Sequence, residues 1–437
     1  MGQTKRCFSR GWLVATSQFA VAAIAVPALL VTPRLALSSP ARQGELRLVV
    51  TPSLSLSTDP LSIRISGLRA GQRVSLIVTS VDSHGVHWKS LSTYNAGPSG
   101  TVSPASAPSG GPSYTGVDAM GPVDFTASSS KSAPFYFWGN KPLGFYFRAT
   151  SGTENASVTV QRSFGVPVKI TSETLAQEGF VGEYFVPSPP PGHRHAAVLV
   201  FDGSAGGMEE VLLAAALATQ GYPTLDIAYF KEPGLPQALE DIPLEYFAKA
   251  LRWLASRPGV DSRRIWVDGS SRGSEAALLL GVHYPGLVHG VVALVPSDAA
   301  ICSYPGCAGP AWTFQGKAVP YTKQFDDPHP TDDPAAVIPV TKIQGPVFLD
   351  CGGSDQVWSS CPYAQAVMAQ LAAAHDRYPH VLMVSQEGGH GSALVLPPYE
   401  PGAAESEWES EVGGSTAIAN DLAWAAQWPR FVDFLQN

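Results

Sequence analysis

At 437 residues, 45% hydrophobic and 15% charged, the chain is long enough for two or three domains and apolar enough to bury large cores, which excludes a disordered protein. Its net charge of -8, with no clustered Lys and Arg, argues against a nucleic-acid partner.

Residues 1–44 have their own character. Lys5, Arg6 and Arg10 precede an apolar stretch over residues 11–31, and Ala36-Leu37-Ser38-Ser39 follow it. That is the layout of a secretory signal, so the protein is expected to be exported: secreted, periplasmic or at the cell surface. The apolar part is also long enough for an uncleaved membrane anchor, although Gln18 and Pro27 weaken it as a span. Contact with a membrane is expected only in that second case.

Residues 45–170 read as an all-β domain. Residues 46–50, 61–65, 74–78 and 156–160 alternate or run β-branched, separated by turns such as Gly67-Leu68-Arg69-Ala70-Gly71. Short strands at this spacing predict a sandwich of immunoglobulin type. Residues 97–111 are low in complexity and read as a loop, and His84 and His87 read as surface hairpin residues rather than metal ligands.

Residues 166–194 bridge to a second domain, 171–437, with Pro187-Ser188-Pro189-Pro190-Pro191-Gly192 breaking any regular structure. Apolar strands are predicted at 196–201, 223–228, 265–268, 291–295, 347–351 and 381–384. Helices are predicted at 211–219 and 244–255, and others start near Arg272, Pro362 and Ala417. Continuous apolar strands alternating with helices predict a mostly parallel sheet covered on both faces, with its site at the C-terminal ends of the strands. Residues 297–342 lapse into Pro- and Gly-rich sequence, which suits an excursion over that site.

The strand predicted at 265–268 runs straight into Gly269-Ser270-Ser271-Arg272-Gly273 and then into good helix formers. A G-x-S-x-G pattern between a strand and a helix is the nucleophile elbow of an α/β hydrolase, with Ser271 at its apex; without that context it is only a serine in a Gly-rich loop. A serine hydroxyl is a weak nucleophile and needs a base, and the base needs a carboxylate to orient it. In this fold the order along the chain is Ser, acid, His. His390, in Glu387-Gly388-Gly389-His390-Gly391 after the last predicted strand, is the candidate base, whereas His283 and His375 read as ordinary helix residues. Asp355, in Cys351-Gly352-Gly353-Ser354-Asp355, is favoured as the acid over Asp298, and Asp350 lies inside its strand. The Arg272 N–H is one candidate oxyanion donor. Gly203 or Ser204, in the turn Asp202-Gly203-Ser204-Ala205-Gly206-Gly207, would supply the other. This chemistry needs no metal and no other cofactor.

Of five cysteines, Cys7 lies in the signal and the others form two close pairs, Cys302/Cys307 and Cys351/Cys361. An even number in an exported protein suggests disulfides, and three pairings exist. Closing short loops costs little entropy, so Cys302–Cys307 and Cys351–Cys361 are predicted. Zinc fits less well, since neither pair has C-x-x-C spacing.

Several stretches carry a resemblance: Leu244-Glu245-Tyr246-Phe247-Ala248-Lys249-Ala250, Gly269-Ser270-Ser271-Arg272-Gly273-Ser274-Glu275, Gly353-Ser354-Asp355-Gln356-Val357-Trp358-Ser359-Ser360, and Gly389-His390 with Pro397-Pro398-Tyr399. With Ser113-Tyr114-Thr115-Gly116-Val117-Asp118-Ala119-Met120-Gly121-Pro122, they resemble the acyl-CoA thioesterase and bile-acid-CoA:amino-acid N-acyltransferase family over about residues 45 to 400. The resemblance implies an immunoglobulin-like domain on an α/β-hydrolase domain and a triad at Ser271, Asp355 and His390. Family members with Ser tend to hydrolyse acyl-CoA, whereas the amino-acid transferases tend to carry Cys, so Ser271 implies hydrolysis. The family usually has Lys where this chain has Arg272, a mild change if only the backbone N–H is used. Export would separate the chain from cytoplasmic acyl-CoA. The expected partner is therefore a small-molecule acyl ester or thioester, acyl-CoA among them. The alternatives are acyl transfer to an amine or alcohol, and a non-catalytic exported binding protein on a hydrolase scaffold.

Overall fold

The computed structural model describes residues 44–128, 135–137, 141–188, 192, 194–323, 333–393, 398–399, 401–402 and 413–437. The signal-like residues 1–43, part of the Pro-rich bridge and Pro397 lie outside the described residues.

The N-terminal part is β-structure. Six strands form one sheet in the order Leu54–Leu56, Glu154–Ser163, Leu143–Ser151, Arg73–Val81, His87–Asn95 and Ala127–Ser128. Neighbours are antiparallel except the first pair, which is parallel. Arg47–Thr51 and Ser62–Ser66 form a separate antiparallel ladder. The period-2 pattern is visible in Arg73–Val81, where Val74, Leu76, Val78 and Ser80 are buried and the residues between them are not. That alternation fixes the register, because a one-residue slip would turn every one of these side chains to the wrong face. His84 stacks on Tyr136 with 3.9 Å between ring centroids.

The second sheet has eight strands in the order Val168–Glu173, Val181–Pro187, Thr224–Ala228, His195–Phe201, Val260–Ser270, Gly290–Leu294, Val347–Gly352 and His380–Ser385. The strand Val181–Pro187 runs antiparallel to both neighbours and all the later pairs are parallel. Numbered along the chain the order is 1-2-4-3-5-6-7-8, an α/β-hydrolase sheet. Its central strands His195–Phe201, Gly290–Leu294 and Val347–Gly352 are buried almost throughout because both faces are covered, whereas the edge strand Val168–Glu173 is not. Ala197, Leu199 and Phe201 join a core with Phe247, Leu251 and Leu254 of the helix Leu244–Ala255, Leu278 of the helix Arg272–His283 and Val367 of the helix Ser360–Ala373. Their neighbours Val198 and Val200 face the other way. They share a core with Leu213 and Leu217 of the helix Val211–Thr219 and with Phe431 and Phe434 of the helix Ala417–Phe434.

That second core does not stop at the large sheet. It continues into Leu76, Val78, Phe145 and Phe147 of the N-terminal sheet. The helix Val211–Thr219 is buried from Leu213 to Thr219 for this reason, and the Thr219 carbonyl accepts the Val166 N–H (3.0 Å) where the chain passes from one sheet to the other. Truncating a fully buried aromatic such as Phe147 to Ala would cost about 3–5 kcal/mol.

The predicted excursion carries some order of its own. Trp312–Phe314 pairs with Ile242–Pro243 and with Lys317–Ala318, and Val340–Lys342 forms a 3-10 turn. Both predicted disulfides are present, Cys302–Cys307 and Cys351–Cys361, each with Cα atoms 5.0 Å apart. Among the described residues no helix is long and apolar enough to cross a membrane.

Candidate active site

Ser271 lies between the end of the Val260–Ser270 strand and the start of the helix Arg272–His283, at φ 51° and ψ -121°. A side chain at positive φ is strained, and the surrounding packing holds it there. A Cβ on Gly269 would lie 2.3 Å from the Gly273 carbonyl oxygen, and one on Gly273 would lie 2.5 Å from that of Asp202. Both glycines are therefore required by close approach of strand, helix and the neighbouring turn. The Ser271 N–H donates to the Leu294 carbonyl (2.9 Å), which pins the elbow to the next strand.

The turn after His195–Phe201 lies directly against the elbow. A Cβ on Gly203 would meet the Ser271 Cβ at 2.7 Å and the Arg272 nitrogen at 3.1 Å. The Arg272 N–H belongs to the first turn of a helix, where N–H groups have no partner within the helix. Tyr229 fixes the turn from behind: its hydroxyl donates to the Asp202 carbonyl (2.7 Å) and lies 3.0 Å from that of Gly203. In a trans peptide the next N–H points opposite to the carbonyl, so the Ser204 N–H is directed away from Tyr229. Tyr229 itself is held among Phe201, Phe247 and Trp312.

His390 and Asp355 are brought together, Nδ1 to Oδ2 at 2.9 Å, with both side chains buried. Every acceptor site on Asp355 is in use. Oδ1 accepts the N–H groups of Val357 (2.9 Å) and Trp358 (3.3 Å), and Oδ2 also accepts the Ser360 hydroxyl (2.6 Å). The His390 N–H donates to the Gly413 carbonyl (2.9 Å), and the Trp358 ring stands edge-on to the imidazole at 6.0 Å. Ser271, Asp355 and His390 all follow C-terminal ends of parallel strands. Asp298, the competing acid, is buried after Gly290–Leu294, and burial pushes its carboxyl up to about 6. Asp350 is fully buried in its strand, and burial raises it well above the usual carboxylate range.

The Arg272 side chain does something its place in the motif does not announce. It is buried, with Nε on Glu275 Oε1 (2.5 Å) and Nη2 donating to the carbonyls of Ile301 (3.0 Å) and Cys302 (2.8 Å). Glu275 Oε2 in turn accepts the Ile301 N–H (3.0 Å) and the Trp312 indole N–H (2.8 Å). This pair ties the helix that follows Ser271 to the excursion that carries the Cys302–Cys307 disulfide. A buried pair of this kind is strongly destabilising to break, because removing one partner leaves a buried charge alone.

The Cys351–Cys361 bridge encloses Asp355 and its partner Ser360. Closing so short a loop stabilises by only about 3 kcal/mol at most. Reduction, or the double change Cys351→Ala/Cys361→Ala, is therefore expected to lower turnover more than it lowers the melting temperature. A variant that melts earlier yet keeps full turnover would remove any role of the bridge in holding Asp355.

Two family descriptions match the chain. Residues 242–437 match BAAT / Acyl-CoA thioester hydrolase C terminal, and residues 58–173 match Acyl-CoA thioester hydrolase/BAAT N-terminal region. Acyl-coenzyme A amino acid N-acyltransferase 2 of Rattus norvegicus is 28% identical over 424 residues, 90% of this chain and 98% of the relative. Acyl-coenzyme A thioesterase 6 of Mus musculus is 26% identical over 402 residues, 87% of this chain and 93% of the relative. Among solved structures, a putative dienelactone hydrolase from Klebsiella pneumoniae subsp. pneumoniae superposes with a TM-score of 0.42 at 14% identity, covering 62% of this chain and 99% of that one.

Proposed function

Because the chain belongs to the acyl-CoA thioester hydrolase/BAAT family, we propose that it hydrolyses an acyl thioester or carboxylic ester through an acyl-enzyme on Ser271. The observation that carries this reading is the Asp355–His390 contact at 2.9 Å, on the same edge of the sheet as a serine held at φ 51°. Asp355 fixes the imidazole with its Nδ1 protonated, which leaves Nε2 as the base. His390 takes the Ser271 proton as Oγ attacks the acyl carbon. The N–H groups of Arg272 and of Ser204 or Gly203 receive the oxyanion, and the leaving thiolate or alkoxide departs with the proton from Nε2. Water, activated by the same nitrogen, then releases the acid and restores the serine.

In this reading, residues 45–170 form an immunoglobulin-type sandwich and residues 171–437 the catalytic domain. The charged start, apolar middle and small-residue exit of residues 1–44 support export, which makes esters and thioesters other than acyl-CoA substrates to test alongside it. The second reading is acyl transfer to an amine. It is favoured by the likeness to amino acid N-acyltransferases, and opposed by a serine where such transferases tend to have cysteine.

The test is to incubate the purified protein with p-nitrophenyl esters and with acyl-CoA, following nitrophenol and free thiol. Glycine or taurine is added in parallel. Turnover with free acid as the only acyl product is expected. An N-acyl product at the expense of free acid would favour transfer, and no turnover of either substrate class would leave the binding-protein reading standing.

A further inference from the structure

Far from Ser271 in sequence, three carboxylates are buried together. Asp118 and Asp124 come from the N-terminal β region and Asp421 from the C-terminal helix Ala417–Phe434, and one oxygen of each lies within 4.8 Å of the others. All three residues are at most 3% exposed. The two N–H groups of Met120 and Gly121 occupy Asp118 Oδ1 (2.8 Å each). Four further carboxylate oxygens are buried without a hydrogen-bond partner: Asp118 Oδ2, Asp421 Oδ1 and both oxygens of Asp124, the last on a side chain with no exposure at all. Ionised carboxylates buried in this way cost several kcal/mol each unless an opposite charge meets them. Among the described residues, the Arg162 guanidinium is the cation that acts on Asp124, one positive charge against three carboxylates.

We propose that Asp118, Asp124 and Asp421 bind one hard divalent cation of the calcium class, which fastens the C-terminal helix to the N-terminal β region. Oxygen ligands of Ca²⁺ lie about 2.3–2.6 Å from the ion, so two ligands of one ion are separated by up to about 5 Å, the spacing these oxygens have. The donor set is all oxygen and all carboxylate, which suits Ca²⁺, Mg²⁺ or Mn²⁺ and not a thiophilic metal. A charge of +2 balances three carboxylates and one guanidinium. The consequence reaches the active site, and this step rests on the role proposed for His390. One turn beyond Asp421, the Trp424 indole N–H donates to the Gly391 carbonyl (3.2 Å), and the segment leading into the helix supplies the Gly413 carbonyl that holds the His390 N–H (2.9 Å). An ion on Asp421 therefore steadies both backbone contacts that flank the base.

Protons shared among the carboxyls would balance the same charge, and the experiment separates the two. Full-length protein purified without chelator is expected to carry about one equivalent of Ca²⁺, Mg²⁺ or Mn²⁺ by elemental analysis. After dialysis against EDTA its melting temperature should fall. Addition of CaCl₂ well above the dissociation constant should raise it again by about 5 °C, and NaCl at equal ionic strength should not. Asp421→Asn should abolish the calcium response while melting no lower than the wild type in EDTA, since it removes a like charge. Metal-free protein whose melting is indifferent to EDTA and CaCl₂ would overturn the site, and needs no variant to fold. A melting response without a parallel change in kcat would overturn the link to His390. Failure of the Ser271 reading would instead show as absent turnover with the metal response intact.

Discussion

Replacing Ser271 by Ala is expected to lower kcat by about 10⁴ or more while leaving the melting temperature nearly unchanged. The large effect follows from the role assigned to Oγ, since no other hydroxyl occupies the apex of the elbow. The small effect on stability follows from the position. Ser271 is only partly buried, and the backbone contacts that hold the turn come from its N–H, to Leu294, and its carbonyl, from the Ser274 N–H (3.0 Å) and hydroxyl (2.5 Å). Alanine keeps all three and carries the same Cβ, so the positive φ is no more strained than before. The measurement is steady-state hydrolysis of a p-nitrophenyl ester together with the nitrophenol burst, which counts acylated serine. Retention of more than a few per cent of turnover, or a burst that survives the substitution, would place the nucleophile elsewhere.

The elbow could be read from the sequence because its signal is local: three fixed positions, an apolar strand before and helix formers after. The disulfides were legible for the same reason, two close pairs with cheap loops. Other features have no local pattern. The Tyr229 hydroxyl reaches Asp202 across 27 residues, and the Arg272 guanidinium reaches Cys302 across 30, so neither spacing advertises the contact. Asp118 and Asp124 meet Asp421 only because a helix at the end of the chain packs onto a loop near its start. The strand His87–Asn95 escaped for a different reason. Its inward positions include Ser90 and Ser92, hydroxyls where a half-buried strand ordinarily shows apolar side chains, and Ser90 is accommodated by donating to the Pro122 carbonyl (2.5 Å). The excursion over residues 297–342 read as irregular because its ordering comes from pairing with Ile242–Pro243 and from the Arg272–Glu275 pair, both remote in sequence.

The choice of acid yields the second large effect. Asp355→Asn is expected to reduce kcat by about 10⁴ with little change in KM, as loss of the orienting carboxylate does in other triads. The environment of Asp355 dictates which way the new amide must lie. Its Oδ1 site accepts two backbone N–H groups, from Val357 and Trp358, so the amide oxygen has to stay there. The NH₂ group is then forced into the Oδ2 position, against the Ser360 hydroxyl and His390 Nδ1. Ser360 can rotate its proton away and accept. His390 can accept only by moving its own proton to Nε2, the nitrogen that has to be bare to take the proton of Ser271. The loss is therefore one of tautomer, not of packing, and the melting temperature should fall far less than the activity. Asp298→Asn is the control. In this assignment the carboxylate that orients His390 is that of Asp355 and not that of Asp298, so turnover should stay within a few-fold of the wild type. Measured side by side on one ester, the two variants decide the assignment: a deep loss in Asp298→Asn with near-normal turnover in Asp355→Asn would move the acid to the end of the earlier strand and leave the Asp355–His390 contact without a catalytic role.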